Sequence, residues 1–133
     1  MITADQAHDV VAASRSMAAE LGVTVNIAVL DAGGHLKAFC RMDGAVLGSI
    51  DVAMRKARTA VLFGCESEAV WEYCRPGAAA PALELSNDGL APYAGGIPLR
   101  AAGGTLVGAV GVSGAAIAQD LEIARAGAAA CRS

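Results

Sequence analysis

Apolar residues recur along the first third of the chain with two different periods. Val10, Val11, Met17, Ala18 and Leu21 fall at helical spacing until Gly22 interrupts them, and Thr3-Ala4-Asp5-Gln6 just upstream has the form of a capping box. Val23 to Leu30 is β-branched and ends in Asp31-Ala32-Gly33-Gly34, whose glycines can supply the positive φ of a hairpin turn. His35 to Met42 is the predicted return strand. After Asp43-Gly44, Ser49 is placed to cap a helix from Ile50 to about Phe63, with Ile50, Ala53, Met54, Ala57, Val61 and Leu62 as its apolar stripe. A short helix is predicted over Glu66 to Tyr73.

Arg75 to Ala94, with prolines at 76, 81 and 92, has no sustained period and reads as a loop of functional length. A second hairpin follows, Ile97 to Ala102 and Thr105 to Ser113 around Gly103-Gly104, and Ile117 to Cys131 closes the chain as an alanine-rich helix. Hairpins alternating with helices in this order predict an α+β domain over 1–133, an antiparallel five-stranded sheet with helices packed on it.

The strand carrying Gly108, Gly111 and Gly114 must let something approach its backbone closely, either a packed element such as the following helix or a ligand. At 133 residues the chain can bury roughly two-thirds of its unfolded surface as one domain. It is 55% hydrophobic and only 17% charged, with much of the excess in alanine and glycine, so self-association into a homo-oligomer is expected. A net charge of −3 and 4% aromatic residues argue against nucleic acid as partner. Apolar runs are broken before membrane-spanning length, and the polar-interrupted N-terminus lacks the form of a secretory signal. Cys40, Cys65, Cys74 and Cys131 lack metal or redox spacing, so reduced thiols and a cytoplasmic location are expected.

Four segments in order resemble the GlcG/HbpS-like family, which includes the C-terminal domain of PduO-type cobalamin adenosyltransferases. They are Ala28 to Phe39 with Arg41 to Ala45, the Lys-Ala-x-Thr-Ala element within Ile50 to Ala60, Gly95-Gly96-Ile97-Pro98, and Gly108 to Gly114. Ala115 departs from the pattern, where many relatives repeat a glycine. The resemblance implies a profilin-like arrangement, higher homo-oligomers and haem or a related tetrapyrrole as ligand.

Haem needs only one axial side chain, and His8, His35, Met42 and Met54 are candidates among which the sequence does not choose. Neither histidine has a second donor at zinc spacing. Lys56 could hold a carboxylate or propionate, or form a structural ion pair. The amides of Gly95 and Gly96, and those at Ser113-Gly114, could form an anion nest. A binding protein for a small molecule is therefore the first expectation. The second is a cofactor-free lyase or isomerase, with Lys56 or Arg41 holding a substrate anion, Gly95 and Gly96 steadying an oxyanion, and Asp31 or Asp120 moving a proton.

Overall fold

The computed structural model describes residues 1–131, so Arg132 and Ser133 of the expected 1–133 domain lie outside the described residues. Helix α1 (Ala4–Leu21) is followed by strands β1 (Asn26–Asp31) and β2 (Leu36–Arg41), then by helices α2 (Gly48–Phe63) and α3 (Ser67–Cys74). A long strap with one 3-10 turn at Leu83–Leu85 leads to β3 (Gly96–Arg100), β4 (Leu106–Ser113) and α4 (Ile117–Ala129). The predicted elements form, and the capping box closes: Gln6 N donates to Thr3 Oγ1 at 3.1 Å while Thr3 N donates to Gln6 Oε1 at 2.9 Å.

The strands make one antiparallel sheet in the order β2-β1-β4-β3. It has four strands, which corrects the expected five. The two hairpins supply all four, and the only remaining long segment, the strap, is kept from pairing by its prolines and by left-handed backbone at Ala82, Asn87 and Asp88. The Ser49 cap is also not made. Leu47 already has helical backbone, and Ser49 N and Ile50 N donate to the carbonyls of Val46 and Leu47, so the chain winds into α2 through a tight turn.

Alternation along the strands sends Ile27, Val29, Val110 and Val112 into a main core with α1 and α4, where Val10 and Ile123 meet them. On the opposite face Leu30 and Ala109 pack against Ala57, Ala60 and Val61 of α2. The second face is lined with small residues for a reason. Gly96 and Gly111 are cross-strand partners, and a Cβ on either would overlap the backbone of α2, at Lys56 O for Gly96 and at Ala53 O for Gly111. The close approach implied by the glycine strand is therefore made at Gly111 by α2, a helix earlier in the chain, and not by the helix that follows. On the other face, Gly127 brings α4 against Ser14 of α1, whose hydroxyl donates to Ile123 O at 3.0 Å.

Candidate functional site

Lys56 and Asp120 meet at the end of the sheet where β4 finishes. Lys56 points off α2 beside Gly95 and donates through Nζ to Val112 O at 2.9 Å and to Asp120 Oδ2 at 3.1 Å. Both side chains are 2% exposed or less. Asp120 lies in the first turn of α4, and its other oxygen accepts from Ala115 N at 3.0 Å. Burial pushes the Lys56 ammonium down and the Asp120 carboxyl up, and the opposite charge of each partner counters that shift.

The space at the glycine loop is filled by Lys56, Val112 O and Ser67. A Cβ on Gly95 would come within 2.6 Å of Val112 O and 2.9 Å of Lys56 Nζ. The Gly96 amide donates to Ser67 Oγ at 2.9 Å. Ser67, at the start of α3, donates its own hydroxyl hydrogen bond to Tyr93 O. Ser113 is buried at the end of β4, opposite Asn26, and the amide two residues on serves Asp120. Lys56, Gly95, Gly96, Ser113 and Asp120 thus come together as an internally bonded cluster.

Asp31 and Arg41 lie apart from it. Asp31 pairs with Gly108 at the far end of β1, where its carboxylate accepts from Gly33 N at 2.9 Å and His35 N at 3.0 Å. The bond from His35 is foremost in holding the Asp31 carboxyl below its ordinary value. Arg41 is exposed at the end of edge strand β2 and lines a shallow cleft of about 250 Å³ with Arg15, Cys40, Met42 and Asp43. The three catalytic candidates of the enzyme expectation, Lys56 for the substrate anion and Asp120 and Asp31 for the proton, are therefore divided between the two ends of the sheet.

The candidate iron ligands are also divided. His8 is on the exposed face of α1, its Nδ1 2.8 Å from Ala4 O. Met42 belongs to the Arg15–Arg41 cleft. Met54 lines a cleft of about 310 Å³ between α2 and the β1–β2 turn, with Leu30, Gly34, Leu36, the cations Arg55 and Arg58 and the carboxylates Asp51 and Asp88. His35 sits between two of those lining positions. Arg55 bonds Asp51 at 2.6 Å and the carbonyls of Asp88 and Gly89, and Arg58 bonds Asn87 O, so both arginines also clamp the strap against α2. Among the described residues no three His, Cys, Asp or Glu side chains gather as a metal set. No described helix is long and apolar enough to cross a membrane.

A family model described as haem degrading protein HbpS-like matches residues 2–129. GlcG of Escherichia coli strain K12 is 36% identical over 113 residues, covering 85% of this chain and 81% of GlcG. The crystal structure of a PduOC:haem complex covers 97% of this chain and 94% of its own at 32% identity, with a TM-score of 0.90. The crystal structure of HbpS covers 96% and 88% at 34% identity, with a TM-score of 0.88.

Proposed function

The chain belongs to the HbpS-like family, and from that premise we propose that it binds haem or a closely related tetrapyrrole. The observation that carries this is the donor set of the Met54 cleft, in a family with a member solved as a haem complex.

The residues of that cleft fit the group chemically. A macrocycle needs apolar contact, which Leu30 and Leu36 offer, and an axial donor, which the Met54 thioether can be, with His35, next to the lining residues Gly34 and Leu36 in the chain, as the second candidate. Its propionates need cations. Arg55 is already paired with Asp51 at 2.6 Å and bonded to the strap, whereas Arg58 gives one bond to Asn87 O and, with five N–H donors on a guanidinium, keeps donors for a ligand. Bound haem would supply a redox-active iron, and this chain's part is to hold the ring and its carboxylates. The cleft is open, and Leu36 at its rim is 52% exposed. A second copy covering that rim, in a homo-oligomer, would enclose the ligand.

Hemin titration followed at the Soret band tests the reading. Wild type should show a saturable shift. Met54→Leu or His35→Ala should change the band position, and Arg58→Ala should weaken binding about tenfold, the value of one charge-assisted hydrogen bond. A band that never shifts, or one indifferent to all of His8, His35, Met42 and Met54, overturns it.

A further inference from the structure

Trp71, the only tryptophan, and Tyr93, one of two tyrosines, line the same cleft of about 280 Å³. Trp71 is 39% exposed and Tyr93 51%, so each spends a large apolar face on solvent. Pro92, Ala94 and Ile117 complete the apolar lining, and the remaining lining residues are two carboxylates, Glu68 and Glu72. These stand four apart on α3, where like charges repel each other. Glu72 makes a loose, exposed ion pair with Arg75, its Oε2 3.7 Å from Arg75 Nε, whereas Glu68 has no cationic partner within 4 Å among the described residues. The lining contains no cationic side chain.

The walls are also fixed in place. The Ser67 hydroxyl accepts from Gly96 N and donates to Tyr93 O, tying the first turn of α3, the helix bearing Trp71, to the segment bearing Tyr93. A cleft held this way need not be ordered by its ligand. Aromatic faces attract cations through their quadrupole, and carboxylates at the rim add charge complementarity. We propose that the Trp71–Tyr93 cleft is a binding site for a small organic cation of alkylammonium type, separate from the Met54 cleft.

Trp71 being the sole tryptophan makes its emission a local reporter. Wild-type protein is titrated with tetramethylammonium chloride, with sodium chloride at matched ionic strength, and with neopentyl alcohol as an uncharged probe of similar shape. A saturable emission change with the ammonium alone, its midpoint raised about threefold to tenfold in Glu68→Gln/Glu72→Gln, is the expected result. Both glutamates are exposed, so the variant should fold as wild type. The proposal fails if sodium or the alcohol reproduces the change, if the double variant leaves the midpoint unmoved, or if emission follows protein concentration and ignores the cation, as it would for a face covered by a second copy.

Discussion

Removing the Lys56 charge should unfold the protein more readily rather than merely weaken a ligand. Lys56 and Asp120 are 1% and 2% exposed at their side chains, so water does not replace a lost partner. Lys56→Met would leave the Asp120 carboxylate desolvated, with backbone amides such as that of Ala115 as its remaining support. Stranding one charge of a buried pair costs about 3–5 kcal/mol, against a total stability of about 5–15 kcal/mol for a domain of this kind. The loss should appear in urea unfolding as a lower midpoint with an unchanged slope. Lys56→Met/Asp120→Asn removes both charges and keeps a carbonyl oxygen for Ala115 N. It should be more stable than Lys56→Met alone, with a coupling on the order of 1–3 kcal/mol in the double-mutant cycle. Lys56→Met within about 1 kcal/mol of wild type would refute the reasoning, because the ion pair would then carry no desolvated charge.

Gly111→Ala should be costly despite adding one methyl, since that methyl would overlap Ala53 O; thermal unfolding should report about 1–3 kcal/mol lost, and an unchanged midpoint would mean α2 does not rest on the strand. Asp31 carries a depressed carboxyl, so its charge stabilises the first hairpin above its ordinary value of 3.8, and this is lost as pH falls through the lower folded value. The stability gap between wild type and Asp31→Asn should therefore close on acidification through that range, and a gap constant with pH would contradict it. Light scattering at micromolar concentration should give a dimer or larger species, given the exposure of Leu36, Val46, Leu47 and Ile117; a monomer would refute self-association.

The elements were legible because each rests on local chemistry. The Thr3–Gln6 box, the Asp31–Gly34 turn and the helical stripe of α2 are readable within a few residues. What approaches the glycines was not legible, because Gly111 meets Ala53 and Ala57 more than fifty residues away in sequence. Lys56 is readable in the sequence as an anion holder or ion-pair member and Asp120 as a proton-moving acid, yet their pairing across 64 residues is a tertiary fact. Asp31 was grouped with them by residue type alone, and the length of β1 separates it. His35 and Met54 are readable in the sequence only as isolated soft donors, and the meeting of Met54 with Gly34 and Leu36 depends on the hairpin turn lying along α2. Aromatic residues make up only 4% of the chain, and Trp71 and Tyr93 stand in separate segments that the strap brings together. The available signal was Trp71 between Glu68 and Glu72 on a short helix, where an apolar side chain would otherwise seek the core. Ser67 offered no signal, as its hydroxyl acts on residues that the strap brings back to α3.

The central claim is that a tetrapyrrole is held here both by its carboxylates and through its metal. Parallel equilibrium titrations of wild-type protein with hemin and with iron-free protoporphyrin test it most directly, because the two share ring and propionates and differ in the capacity for axial ligation. The account predicts saturable binding of hemin, clearly tighter than that of the iron-free ring. Failure of both to saturate, or equal affinity for the two, would contradict it.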